Sequence, residues 1–324
     1  MTKFSRFAAT MSCAAVLACA AGSVMAADIF VVGGKPDDPF WSIVKRGAED
    51  AGKLAAEQGG SVTWLGPQNY DNLGVDAAEL IRQAISQGAD AIVGPDWVPE
   101  AMDPAFEAVV EAGIPLIVYN AGGLEAADRL GALNYIGSDD YENGKAAGKY
   151  FAEHGIMKLV CINTLPGASN IEDNCAGMND GIAEAGGEGE TLPLPATSFG
   201  NATAVAQAVK AYLLKNPDVG GIYTIGNVDA NASINGVMQS GKTGKVMVGG
   251  LNMDETILNN IKSGKQMFAI DQQGYLQGYM AVSILNAHVN FGLSIPTREI
   301  LTGPGIVDSS NVDATLDGVA KGVR

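Results

Sequence analysis

Along most of the chain, short unbroken apolar runs alternate with segments whose apolar residues recur every three or four positions. Residues 29–32 (IFVV), 62–65, 91–93 and 115–119 are runs of the first kind, the pattern of strands buried on both faces. Between them the spacing predicts helices: 40–57, with Val44, Ala48, Ala51 and Ala55 on one face, then one through Leu80, Ile81, Ala84 and Ile85, then 103–112. The pattern then restarts. Helices near 142–153, 175–185, 203–215, 230–239 and 254–263 alternate with strands at 158–162, 221–225, 245–250 and 266–270. A long helix at 275–291 and a strand near 299–302 follow. Strand–helix alternation of this kind predicts an α/β fold of parallel sheets with helices on both faces, joined by right-handed crossovers. Two runs predict two doubly wound lobes.

Ahead of this pattern, residues 1–26 read as an export signal. Lys3 and Arg6 precede a small, apolar stretch, and Val24-Met25-Ala26 fits cleavage after Ala26. The alternative is a lipobox at residues 16–19, which would leave a lipidated Cys19. Cleavage removes two cations and no carboxylate, so the mature chain is more acidic than the formal −16 of the whole. A nucleic-acid partner is excluded on charge, because phosphate binding needs lysine and arginine. Two histidines leave little for a histidine metal site or a Ser-His-Asp triad, and no cofactor is expected. Cys161 and Cys175 survive cleavage; the sequence leaves open whether they pair in an oxidising compartment or stay as buried thiols. The 42 glycines, nearly twice the usual ~7% share, are expected in tight turns.

Ligands of open α/β sheets sit beyond the carboxyl ends of the strands, and those positions carry a consistent chemistry. Asp38, Phe40 and Trp41 follow the first strand, where a dinucleotide fold would need a glycine fingerprint. Asp38 before Pro39 also suits a helix N-cap, and the two aromatics would equally suit a core. Asp96 and Trp97 follow the third strand and Asn120 the fourth, while Ser138 precedes a helix. In the second run Asn170, Asp173 and Asn174 follow 158–162, Asn227 and Asp229 follow 221–225, Asn252 follows 245–250, and Asp271 and Gln272 follow 266–270. Acids accept paired hydrogen bonds from adjacent hydroxyls, amides both donate and accept, and flat rings suit the apolar face of a sugar. Lys35 is the only cation among these positions, so the expected ligand is neutral.

At PDDPFW (36–41), IGSDDYENGKAAG (136–148), PGASNIEDNCAGM (166–178), VGGLN (248–252) and AIDQQGYLQGY (269–279), the chain resembles the periplasmic sugar-binding proteins of the ribose/galactose type. The resemblance runs from about residue 28 to 305. It implies a type I periplasmic binding protein with two Rossmann-like lobes joined by a three-strand hinge. The lobes would be 28–138 plus 272–302 and 139–271 plus 303–324. It further implies a monomer that is not an enzyme and that captures a neutral monosaccharide or sugar alcohol in the cleft. The ligand would pass to the membrane permease of an ABC importer; presentation to a chemoreceptor or sensor kinase is the alternative, and a sugar-modifying enzyme a remote one. By the same resemblance sugar contacts fall on Asp38, Phe40, Trp41, Asn120, Asn252 and the hinge residue Asp271. Ala121 and Asn174 stand where ribose binders carry arginine, which disfavours ribose itself, and Gly274 replaces a frequent hinge proline.

Overall fold

The computed structural model describes residues 26–324; the export segment, Cys19 included, lies outside the described residues apart from Ala26. The chain begins with β1 (Asp28–Val32), α1 (Pro39–Glu57), β2 (Ser61–Leu65), α2 (Leu73–Ser86), β3 (Ala91–Gly94) and α3 (Pro99–Glu111). It continues through β4 (Leu116–Tyr119), α4 (Gly123–Arg129) and β5 (Asn134–Gly137). The second series is α5 (Asp140–Glu153), β6 (Lys158–Asn163), α6 (Ser169–Glu184), β7 (Glu188–Pro193), α7 (Ala202–Lys215), β8 (Gly221–Thr224) and α8 (Asn227–Gln239). After these come β9 (Met247–Leu251), α9 (Glu255–Lys262), β10 (Phe268–Asp271), α10 (Gly274–Phe291), β11 (Glu299–Leu301), β12 (Gly305–Asp308) and α11 (Val312–Ala320).

Two six-stranded sheets result, in the orders β2-β1-β3-β4-β5-β11 and β7-β6-β8-β9-β10-β12. The first five strands of each, as ordered here, share one winding, and the sixth comes from the C-terminal stretch. The chain passes between the sheets three times: after Gly137, after Asp271 and after Leu301. All pairings are parallel except β10 with β12, where Phe268 faces Asp308 and Asp271 faces Gly305. That antiparallel edge departs from the all-parallel expectation, because β11 runs with β5 toward the other lobe and the short 302–304 link carries the chain straight on, so that β12 enters the second sheet at the carboxyl end of β10.

The buried apolar runs occupy the strands as the pattern predicts: Ile29 to Val32, Ala91 to Val93 and Leu116 to Tyr119 are all sequestered. Five elements escaped the periodicity reading. The β5 run NYIG and the β12 run GIVD are short and mixed, and β7 (EGETLP) is an edge strand with exposed charged residues. Helix α4 spans under two turns, and α11 lies beyond the stretch in which alternation was followed.

Glycine does more than build turns. Gly144 and Gly148 of α5 meet Gly177 and Gly181 of α6 so closely that a Cβ on Gly177 would strike the Tyr141 carbonyl. Gly47 of α1 and Gly278 of α10 allow the same approach in the first lobe. Close backbone contact between helices needs the missing side chain. Beside the α5–α6 pair, Cys161 of β6 and Cys175 of α6 form a disulfide with Cα atoms 5.5 Å apart, tying strand to helix. No helix among the described residues is long and apolar enough to cross a membrane.

Candidate ligand-binding cleft

The carboxyl ends of the two sheets face one another across a cleft that residues of both lobes line.

The first lobe's wall begins with α1. Asp38 caps it, Oδ1 accepting from the backbone N–H of Phe40 at 3.0 Å and Trp41 at 3.2 Å. The cap and the cleft roles coexist, because Asp38 also lines the cavity. Its Oδ2 accepts from the Tyr70 hydroxyl at 3.4 Å. Burial holds the Asp38 carboxyl above its usual range, against the pull of the two backbone donors, Tyr70 and Lys35. Phe40, Trp41 and Trp97 line the cleft too. Trp41 stands edge-on to Trp97 at 5.3 Å and to Tyr119 at 5.9 Å, so neighbouring rings fix its plane. Trp41 and Trp97 are each under 10% exposed; both are core residues that show one edge to the cavity.

Asn120 and Asn252 close the strand ends of β4 and β9 with φ of 64° and 69°, left-handed backbone that Asn tolerates better than most residues. Gln272 sits between them at the second crossing. Its Nε2 donates to Asn252 Oδ1 at 2.7 Å, and its Oε1 accepts from Asn120 Nδ2 at 3.2 Å. The second lobe adds Asn170 and Ile171 from α6, Phe199 from the β7–α7 loop, and Asn227 and Asp229 from the start of α8. Desolvation lifts the Asp229 carboxyl to about 7, opposed only by the Thr164 hydroxyl.

Nine of the residues singled out by sequence therefore share one cavity: Asp38, Phe40, Trp41, Trp97, Asn120, Asn170, Asn227, Asn252 and Gln272. Five do not line it. Asp96 is fully buried and turned toward α4, where Arg129 holds its Oδ2 at 2.6 Å; desolvation first, then the neighbouring Asp103, lift its carboxyl to about 7. Asp271 points the other way from Gln272, as alternate residues of an extended chain must. Its Oδ1 accepts from Gln273 N–H at 2.7 Å and its Oδ2 faces Arg324 at 3.3 Å. Asn174, one helical turn beyond Asn170, is buried inside the lobe between Asp140 and the Tyr223 hydroxyl, each at 2.9 Å. Asp173 lies on the solvent side of α6. Ser138 is packed behind Gln272, 3.4 Å from its Oε1, and receives Asn143 Nδ2 at 2.9 Å.

Tyr70, Leu73 and Phe199 line the cleft without having been singled out. Tyr70 and Leu73 follow β2, whose end was open to the same strand-end rule. Phe199 follows β7, a strand with no apolar run to announce it. Asp229, noted in the sequence beside Asn227 after the same strand, lines the cleft as a tenth.

The lobes also touch across the cleft's mouth. Ser169 N–H donates to the Trp97 carbonyl at 2.8 Å and Ser169 Oγ to the Asp96 carbonyl at 2.9 Å. Tyr70 of the first lobe meets Phe199 of the second edge-to-face at 4.8 Å. These contacts describe a closed arrangement.

Known proteins of the same build extend the picture. A model of the periplasmic binding protein domain matches residues 29–293. The xylose/arabinose-binding protein XylF of Sulfolobus acidocaldarius is 26% identical over 316 residues, covering 89% of this chain and 76% of that protein. The D-ribose/D-allose-binding protein of Pseudomonas aeruginosa is 25% identical over 205 residues, 60% of this chain and 61% of that one. A carbohydrate transporter from Acidothermus cellulolyticus 11B, solved in complex with myo-inositol, superposes with a TM-score of 0.82. Its identity is 28%, covering 92% of this chain and 99% of that one. A match that runs through both sheets, together with the shared two-lobed winding, makes this chain a member of the periplasmic binding protein family, in its type I form.

Proposed function

We propose that this protein captures an uncharged monosaccharide or sugar alcohol between its lobes and delivers it to the membrane permease of an ABC importer. The observation that carries the reading is the cleft's chemistry. Amide and carboxylate groups alternate with aromatic edges, and no lysine, arginine or histidine stands among the described residues of its wall. Hydroxyls arrayed around a ring satisfy such a surface, while a phosphate or carboxylate would find no cation to pair with. Relatives named for pentoses and ribose or allose, and a solved relative holding myo-inositol, support the same class.

The protein works outside the cytoplasmic membrane, exported by residues 1–26 with cleavage after Ala26, and acts as a monomer. Eight to ten hydrogen bonds at about 1 kcal/mol each, with ring stacking, are enough for a Kd near 1 μM, about −8 kcal/mol. A thermal-shift screen of pentoses, hexoses, deoxy sugars and polyols tests the reading, since a ligand at 100 times its Kd stabilises by about 2.7 kcal/mol. The expected result is a marked rise in Tm with one stereochemical group and recovery of that compound chemically unchanged. No shift across the set, or a ligand converted to product, would contradict it.

A further inference from the structure

The second crossing between the lobes is held in an unfavourable backbone conformation. Gln273, which leads β10 into α10, has φ of 51°. The left-handed region suits glycine and tolerates asparagine, but a longer side chain adopts it at a cost. Such strain persists only where the surroundings impose it. Two contacts do so here. Asp271 Oδ1 accepts from the Gln273 N–H at 2.7 Å, and Gln273 Nε2 donates to the Thr302 carbonyl of the third crossing at 2.7 Å. Between Asp271 and Gln273 stands Gln272, whose side chain reaches Asn120 of the first lobe and Asn252 of the second.

Asp271 is itself held from behind. Helix α11 packs on α9 in the second lobe through Val312, Leu316 and Val319. The chain then turns at Gly322, φ 67°, and the Val323 N–H donates back to the Gly318 carbonyl at 3.1 Å. That turn lays the Arg324 side chain against Gly318, with Nη1 3.4 Å from Thr315 Oγ1 and Nε 3.3 Å from Asp271 Oδ2. The same turn meets the first lobe, since a Cβ on Gly322 would lie 2.6 Å from a guanidinium nitrogen of Arg46 in α1. Residues 322–324 therefore bridge the lobes on the side of the crossing that Asp271 faces, away from Gln272 and the cleft. Burial lifts the Asp271 carboxyl above its usual range, while the Gln273 N–H and the Arg324 charge pull it back. Without that cation the carboxyl takes up a proton more readily, and a neutral acid grips the Gln273 N–H less firmly than a carboxylate.

We propose that Arg324 is a positioning residue for solute capture: through Asp271 it holds Gln273 in the torsions of the closed arrangement, without touching the ligand. Parting of the lobes requires a few crossing residues to change φ and ψ, and Gln273 is the strained one that relaxes by doing so. The Arg324–Asp271 pair therefore favours the closed form over the open one, and a ligand that needs the closed form binds more tightly for it. The inference rests on the cleft being the site for a hydroxyl-covered solute and adds a control of affinity from behind the hinge.

The test compares the unaltered protein with Arg324→Ala, Arg324→Lys, Asp271→Asn and the Arg324→Ala/Asp271→Asn double variant. Calorimetry with D-ribose, D-xylose, D-allose, D-glucose and myo-inositol reads affinity, small-angle scattering of the free proteins reads opening, and Tm reads folding. For a compound that binds the unaltered protein, Kd in Arg324→Ala and in Asp271→Asn should rise about threefold or more. If the free protein is already mostly closed, expansion of the two free variants in scattering replaces that rise. Arg324→Lys, which keeps a cation beside Asp271, should stay within about twofold. The double variant should be no weaker than either single one, because both substitutions break the same contact. Unchanged affinity and scattering in Arg324→Ala overturn the inference, whatever happens to Tm, and a lower Tm alone would assign Arg324 to the stability of α11. Effects of the two substitutions that add in full also overturn it. If none of the five compounds binds the unaltered protein, the hydroxyl reading is what suffers; expansion of the free variants then still supports the role of Arg324, and its absence overturns it.

Discussion

Replacing Ser169 with alanine separates closure from folding. The Ser169 hydroxyl donates to the Asp96 carbonyl across the cleft mouth at 2.9 Å. When the lobes part, both groups return to water, so the bond exists only in the closed arrangement. Alanine is an excellent helix former and suits the first position of α6. A neutral hydrogen bond of this kind contributes about 1 kcal/mol net, which shifts the open–closed balance roughly fivefold. A ligand that needs the closed form has an apparent Kd equal to its intrinsic value divided by the closed fraction. If the free protein is mostly open, Kd in Ser169→Ala rises about fivefold, carried by faster release. If it is already mostly closed, the rise is below twofold, and small-angle scattering of the free variant shows expansion instead. Calorimetry, stopped-flow release and scattering on the same samples distinguish the two cases. The reasoning is refuted by unchanged affinity together with unchanged scattering, or by a Tm loss of the free protein that accounts for weaker binding.

Other expectations follow from the structure. Reducing the Cys161–Cys175 bridge frees a loop of about 15 residues, worth about 3 kcal/mol by the chain-entropy estimate. The Tm of the protein should fall with reductant, and a Cys161→Ser/Cys175→Ser variant should match the reduced protein. Gly177→Ala would drive a methyl group into the Tyr141 carbonyl and push α5 and α6 apart; a loss of about 1–3 kcal/mol in denaturant unfolding is expected from such overpacking, against near neutrality for Gly155→Asn at an exposed turn. The raised Asp229 carboxyl makes the folded state hold a proton that the unfolded chain releases near pH 4. Asp229 therefore makes stability of the free protein fall as pH rises from about 4 to 7, by an amount on the order of 4 kcal/mol, and Asp96, lifted as far, adds to the same slope. Asp229→Asn should reduce that slope without abolishing it in pH-dependent urea unfolding.

The alternation of apolar runs and helical spacing was enough for the α/β class and for most strands, because buried parallel strands must be apolar on both faces. Edge strand β7 lacked that signature, and with it went Phe199, the second lobe's aromatic contribution to the cleft mouth. The strand-end rule located Asp38, Trp41, Asn120, Asn227 and Asn252, since strand register fixes where those side chains emerge. It could not tell a cleft residue from a buried neighbour. Asp271 and Gln272 are adjacent in sequence, and only backbone direction decides that the amide faces the cavity and the carboxylate Arg324. Asn174 and Asp96 failed for a related reason: their partners, Asp140, Tyr223 and Arg129, come from elements distant in sequence. The hydrogen-bond direction of Asn120, Gln272 and Asn252 depends on partners distant in sequence and is invisible in residue types alone.

The account stands on a hydroxylated solute being enclosed by both lobes at once. A crystal structure of the protein grown with the compound giving the largest thermal shift tests this most directly. The expected density lies between Trp41 and Asn227, with hydroxyls within hydrogen-bond reach of residues of both lobes, Asp38 and Asn120 on one side and Asn170 or Asn252 on the other. Density on one lobe alone, or outside the cleft, would contradict it.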